Sequence, residues 1–182
     1  MRQSYNLKQY IVPRNWSNGR SFYLNAIWRL FFRPLVASYL PGSSWRINVL
    51  NIFGASIHHS VNLKPHIIIT CPWNLKINKH SWIGEFVWID NIDQVVIGSN
   101  SCVSQGVYIC TGNHNYKSPT FDLITSEVIV GDSVWICAQA LIAPGVTIAS
   151  GAVVGFGSVI TKDVSENELI SMSNSNYSRK IT

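Results

Sequence analysis

The chain has 182 residues, enough for one domain with its own core. Its net charge is +5 and its pI is near 9.1, yet only 13% of its residues are charged. That mild basicity, with no run of four Lys or Arg, argues against a nucleic-acid partner and suits anionic cofactors or anionic lipid instead.

Residues 1–19 carry Pro13, Asn15, Asn18 and Gly19 with little periodicity and read as an extended arm. From Ser21, a candidate N-cap, the residues Phe22, Tyr23, Ala26, Ile27, Leu30 and Phe31 recur at helical spacing. Pro34 is expected to end or kink that helix, and a second short one would carry Leu35, Val36, Tyr39 and Leu40 up to Pro41-Gly42. Arg29 and Arg33 exclude a conventional membrane span. Two uses remain open for this aromatic segment. It caps the end of the fold that follows, or residues 20–40 lie on a membrane surface with Arg20, Arg29 and Arg33 near lipid phosphates. The start, MRQSYNLKQY, is polar and reads as no signal peptide. The expected location is therefore cytoplasmic, including the inner face of the membrane.

From residue 55 one spacing rule takes over. Aliphatic residues recur every six positions: Ile57, Leu63, Ile69; Ile77, Ile83, Ile89; Ile97, Val103, Ile109; then Val130, Ile136, Ile142, Ile148, Val154 and Ile160. Four residues after most of them stands a small or β-branched residue, as at Val61, Ser81, Val107, Ala140 and Ser158. A period of six fits neither a helix nor an ordinary strand. It fits short strands that alternate with tight turns around a prism, each coil stacked on the last. The fold class is thus all-β, a parallel β-helix of about five triangular coils over residues 55–165. Residues 1–54 form the arm and helical cap, and residues 166–182 a tail.

The step lengthens to eight after Ile69 and Ile89, and to twenty-one after Ile109. With three strands to a coil, all three breaks fall on one corner. The last should extrude a loop, residues 110–129, from a rigid wall, where function is expected. Asp90, Asn91, Asn100 and Asp132 suit corners whose φ lies near or above zero. The outward Trp82, Trp88, Tyr108 and Trp135 are more aromatic surface than a small monomer should leave in water, so association through the prism walls is expected.

The segments IGSNSCVSQGVYICTGNHNY and VGDSVWICAQALIAPGVTIASGAVVGFGSVITKDV, with the lead-in FGASI, resemble the hexapeptide-repeat acyltransferases. More narrowly they resemble the sugar O-acetyltransferases of exopolysaccharide, colanic-acid and Nod-factor synthesis. The resemblance implies a left-handed helix, a homotrimer with sites between subunits, acetyl-CoA as co-substrate, no metal, and a sugar or lipid-linked glycan as acceptor. It also implies that His114, in CTGNH, is the general base that takes the acceptor hydroxyl's proton, a task suited to neutral imidazole. The other ring nitrogen must be held, and Glu85, Asp90 and Asp93 are the carboxylates within sequence reach of the loop root. Glu85, then Asp90, are also candidates for the acceptor side. The donor region implied by the resemblance comprises Trp135, Ala138, Ala143, Gly155, Phe156, Thr161 and Lys162, with Arg179 and Lys180 as further cations.

Rival readings stay open. Cys110 near His114 raises a Cys–His acyl-enzyme, whereas the four cysteines, which show no CxxC spacing, otherwise read as reduced thiols. His58, His59 and His66 raise a zinc cluster of the kind in carbonic-anhydrase-like relatives. Transfer to a sugar amine, or a non-catalytic scaffold role, would use the same fold.

Overall fold

The structure is a computed structural model that describes residues 6–10 and 20–171, and the backbone of residues 178–180. It is a left-handed parallel β-helix. The first coil consists of β1 (Ser56–Ile57), β2 (Asn62–Leu63) and β3 (Ile68–Ile69). The second holds β4 (Leu75–Ile77), β5 (Trp82–Ile83) and β6 (Trp88–Asp90), and the third β7 (Val95–Ile97), β8 (Cys102–Val103) and β9 (Tyr108–Cys110). A hairpin, β10 (Gly112–His114) and β11 (Leu123–Thr125), then leaves the wall. The chain returns in β12 (Val128–Val130), β13 (Trp135–Ile136) and β14 (Leu141–Ile142), followed by β15 (Thr147–Ile148), β16 (Val153–Val154) and β17 (Val159–Ile160).

Corresponding strands stack into three parallel sheets, of order β1-β4-β7-β12-β15, β2-β5-β8-β13-β16 and β3-β6-β9-β14-β17. A partial sixth coil extends past the expected boundary at 165. Val164 bridges to Ile148, and β18 (Glu168–Ile170) adds to the second sheet, itself paired antiparallel with β19 (Ser178–Lys180).

All fifteen residues of the six-step series are buried. Because strands here are two or three residues long, each puts one side chain inward, or two in β4, β7 and β12, which follow the lengthened corner. The small residue four places on fills the corner beside it, as Val61, Ser81, Val87, Ser101 and Val107 do. Most corners are turned by the third residue after the core position, in left-handed backbone: His66, His80, Phe86, Asn100, Ser133 and Gln139, and glycine at 106, 145, 151 and 157. Of the four residues expected to supply such backbone, only Asn100 does. Asp90 lies in β6, and Asn91 is fully buried with its side chain turned to a different use.

That use concerns the lengthened corner. Asn91 donates its amide to the Cys71 carbonyl at 2.5 Å and accepts from the Cys71 N–H at 3.0 Å, so the side chain replaces a missing ladder partner one coil below. Without it the Cys71 N–H would be orphaned in a dry corner, and its carbonyl would keep only the Asn74 N–H. Asn91→Ala should lower unfolding free energy by about 1–3 kcal/mol, measured by denaturant titration with the slope unchanged. The Cys71 thiol in the same corner is pushed up to about 12, by burial first, and all four cysteines are free.

The open N-terminal end of the prism is covered by helices. Phe22–Ile27 (α1), a π-helical turn Trp28–Phe32 and Arg33–Val36 (α2) form one continuous rod. Pro34 does not break it. The wider turn before Pro34, with the Arg33 N–H bonded to the Trp28 carbonyl, makes room for the ring. The stretch from Trp45, which has no strong helical signature, is helix α3 (Ser44–Ile52). Trp28, Val36, Ile47, Leu50 and Phe53 are buried against the first coil. The cap also imitates a coil. Asn51 exchanges two 2.9 Å hydrogen bonds with the backbone of Ile57, and the Ser43 hydroxyl bonds both backbone groups of Leu63. The strand edges are thereby satisfied, as the capping role requires.

Arg46 holds this cap in shape. It has no exposed surface and donates to the carbonyls of Val36, Ser38, Leu40 and Gly42 at 2.9, 2.6, 2.6 and 2.6 Å. Burial lowers its pKa. Among the described residues no helix is long and apolar enough to cross a membrane.

Candidate active site

The hairpin is pinned at its root by Thr111. This buried residue donates its hydroxyl to the Asp90 carbonyl at 3.0 Å, accepts from the Asp93 N–H at 2.9 Å, and takes the Ser126 N–H on its own carbonyl. Three pairs follow, Gly112 with Thr125, Asn113 with Ile124 and His114 with Leu123. Beyond them the loop closes on itself. The Asn115 N–H donates to the Asp122 carbonyl, and the Asp122 carboxylate accepts from the hydroxyls of Ser118 and Thr120, both at 2.6 Å.

Those hydroxyls hold the Asp122 carboxyl below its ordinary range. Its contribution to loop order is therefore present above the usual carboxylate pKa and lost as pH falls through the depressed value. Asp122→Ala should lower kcat several-fold with little change in melting temperature, read from steady-state rates beside a thermal scan.

His114 occupies the inner end of this loop. Its Nδ1 lies 2.9 Å from the Phe121 carbonyl. A carbonyl only accepts, so Nδ1 carries the proton and Nε2 is left with a lone pair. Phe121 also lays its ring flat on the imidazole, centroids 4.3 Å apart and planes 9° apart, and Tyr10 meets it edge-on at 5.5 Å. Phe121 has φ of 53°, an uncommon state for a bulky residue, in which both its carbonyl and its ring address His114. Tyr10 comes from the N-terminal arm, which crosses the loop where the Asn6 N–H donates to the Pro119 carbonyl. Neither Phe121 nor Tyr10 stands out in the sequence. The only hint is spacing, an aromatic seven residues past the histidine.

The carboxylates named as orienting groups are engaged elsewhere. Asp90 accepts from the Thr70 hydroxyl at 2.9 Å and the Tyr108 hydroxyl at 3.2 Å. Asp93 accepts from the Gln94 N–H. The Nδ1 partner is a backbone carbonyl instead, because a hairpin this short folds its own chain within reach. Cys110 donates its thiol to the Gly112 carbonyl at 3.2 Å.

Glu85 lies in the turn that joins β5 of the second sheet to β6 of the third. With Lys64, Trp82, Ser104 and Gln105 it lines a cavity of about 420 Å³. The floor needs glycine at 84, since a Cβ there would stand 2.6 Å from the Gln105 backbone nitrogen. Trp135 stands on the same sheet one coil later, half exposed, its indole N–H donating to Ser104 Oγ at 3.0 Å.

The remaining donor-side residues divide between two edges of the prism. Ala138 and Phe156 are on the edge between the second and third sheets, and Ala143, Thr161 and Lys162 on the edge that releases the hairpin. Phe156 is exposed, as are Thr161 and Lys162. Gly155 is not open wall. Its N–H donates to the Ile170 carbonyl at 2.7 Å, and a Cβ would stand 2.8 Å from that oxygen, so the sixth coil takes the space. Arg179 and Lys180 lie in β19, where only the backbone is described.

The rings of His58 and His59 are 4.1 Å apart and tilted by 33°, and His80 is 6.3 Å from His58, but His66 is on another edge, packed against Tyr39 and Phe86. Among the described residues no three His, Cys, Asp or Glu are placed to hold a metal.

One geometric relation governs the rest. The hairpin leaves the edge between the third and first sheets, whereas the cavity is on the second sheet. In a triangular prism that edge is opposite that face.

Comparison with known proteins agrees with this architecture. Residues 127–162 match the family model described as bacterial transferase hexapeptide (six repeats). Over 161 residues the chain is 31% identical to a protein named colanic acid biosynthesis acetyltransferase WcaF, of Escherichia coli (strain K12), covering 88% of each. Among solved structures, a maltose O-acetyltransferase from Clostridium difficile 630 superposes with a TM-score of 0.74 at 24% identity, over 94% of this chain and 89% of that one. The hexapeptide-repeat acetyltransferase VCA0836 of Vibrio cholerae O1 biovar eltor, solved with acetyl coenzyme A, gives 0.75 at 20%, over 88% and 86%. At those identities the two structures speak to the fold alone. The likeness to WcaF is long enough in both chains to carry more: the protein belongs to the hexapeptide-repeat acetyltransferases.

Proposed function

We propose that the protein transfers the acetyl group of acetyl-CoA to a hydroxyl of a sugar, a lipid-linked sugar or an exopolysaccharide precursor, with His114 as general base. The observation that carries this reading is the tautomer. The Phe121 carbonyl fixes the proton on Nδ1 and leaves Nε2 free to accept one. The acceptor O–H gives its proton to Nε2 as the oxygen attacks the thioester carbonyl carbon. The oxyanion of the tetrahedral species is met by a backbone N–H of the wall. Collapse breaks the C–S bond, and the proton on Nε2 goes to the leaving thiolate. No acyl-enzyme is needed, and the Cys110 thiol is already donating to a carbonyl. Trp135, Ala138, Ala143, Phe156, Thr161 and Lys162 flank the path for the coenzyme, with Lys162 suited to a phosphate.

The cavity beside Trp82 suits a sugar. An aromatic face for C–H groups stands beside an amide, a carboxylate, an ammonium and a hydroxyl that can address ring hydroxyls. Because the hairpin and the cavity are on opposite sides of one prism, a complete site needs His114 of one subunit against the wall of a neighbour, which supports a trimer. The half-exposed Trp82, Trp88 and Trp135 are on the walls such contact would cover.

The test is a thiol-release assay with acetyl-CoA against a panel of sugars and nucleotide sugars, with product analysis to separate ester from amide. Co-assembly supplies a second. Mixed trimers of two inactive variants, His114→Ala and Trp82→Ala/Glu85→Gln, should regain part of the wild-type rate. If active wild-type enzyme sediments as a monomer, the shared site is wrong.

A further inference from the structure

The helical rod over residues 22–36 has two apolar faces. Leu24, Trp28, Phe32 and Val36 face the prism, and the Trp28 indole donates to the carbonyls of Ile69 and Thr70. The opposite face carries Phe22, Tyr23, Leu30 and Phe31, which are 80, 78, 69 and 67% exposed, with Tyr39 just beyond at 82%. A rod that served only as a lid would put polar residues there. Its outer face holds large aromatics at successive turns instead, with Arg20 and Arg29 exposed among them and Arg33 half-buried.

A second observation is independent of the first. Seven of the fourteen Lys and Arg, and none of the nine Asp and Glu, fall within residues 20–84. The cap, the whole first coil and the start of the second therefore carry no carboxylate side chain. Every acidic residue is at Glu85 or later. The chain is a charge-polarised column whose positive end is also its aromatic end.

We infer that this end docks on a bilayer of anionic lipid. The aromatic ridge enters the headgroup region, and Arg20, Arg29 and Arg33 meet lipid phosphates. Charge complementarity selects this occupant. A purely apolar partner would need no basic surround, and a second copy of the same end would bring like charges together. The prism axis then stands upright on the bilayer, and prisms joined side by side in parallel present their ridges in one plane. This inference does not depend on the transfer reaction, and its readout is lipid binding.

Wild-type protein is sedimented with vesicles of phosphatidylcholine containing 30% phosphatidylglycerol and, separately, with pure phosphatidylcholine, at about 0.1 and 0.5 M salt. The expected result is binding to the anionic vesicles at least tenfold stronger than to the neutral ones, weakening several-fold at high salt. Phe22→Ser/Leu30→Ser/Phe31→Ser should lose that binding while keeping the melting temperature and sedimentation coefficient. Arg29→Gln/Arg33→Gln, which leaves the ridge intact, should lose the preference for anionic lipid even if the first variant folds poorly. Absence of binding, or equal binding to both vesicles, would overturn the inference. So would a triple variant that changes assembly while vesicle binding persists, because the ridge would then be a contact between subunits.

Discussion

His114→Ala should lose roughly 10²–10⁴ in kcat, the range a positioned general base contributes, with the affinity for acetyl-CoA and the melting temperature nearly unchanged. The separation follows from placement. The imidazole belongs to a hairpin outside the prism, and its partners are Phe121 and Tyr10, neither of which is part of the inward ladder. Removing it opens no cavity among the stacked aliphatic residues. The measurements are initial rates, acetyl-CoA titration and a thermal scan. A variant with near-normal kcat would remove His114 from the chemistry. One without a thermal transition would make it structural.

Arg46→Met should be the most damaging single change to stability. Four carbonyls between Val36 and Gly42 converge on one guanidinium, and a thioether of similar length offers them nothing. The Val36 oxygen is the most deeply covered of the four and has no water to turn to. Losing charge-assisted bonds and leaving acceptors orphaned should remove roughly 3–5 kcal/mol, on the order of 10 °C in melting temperature for a chain of this size. Lysine should rescue little, because one ammonium cannot span acceptors on four sides. Denaturant unfolding that shifts by less than about 0.5 kcal/mol would show that the cap is held by its apolar contacts alone.

The prism was legible because its physics is one-dimensional. A strand of two residues leaves a single inward side chain, so each member of the aliphatic series from Ile57 to Ile160 is announced by neighbours at a step of six. The lengthened corner was legible for the same reason, as an interruption of a count. What escaped was everything set by side chains that bond to backbone. Asn51, Ser43 and Asn91 each imitate a strand, and Arg46 gathers a loop, and no periodicity marks such residues. Helix α3 escaped because its sequence alternates apolar and polar residues without a clear stripe.

The site shows the same division. His114 was visible in its motif. The group that fixes its tautomer is a carbonyl, which every residue has, and not one of the carboxylates that sequence can name. The left-handed Phe121 that delivers it could not be foreseen from a residue type that rarely adopts that backbone. The charge polarity was the reverse case. It was present in the letters, but a net value of +5 conceals a basic first half and an acidic second.

The placement of every irregularity on one edge of the prism has a consequence for how such a protein can change. At that edge β7 and β12 pair in register across the excursion, as if residues 112–125 were absent. Length added or removed there alters no inward step. Loops grafted between Thr111 and Ser126 would therefore be judged by chemistry alone, while any insertion on the other two edges would first have to survive a shift of every coil above it. The fold thus separates the part of the sequence that keeps count from the part free to explore new acceptors.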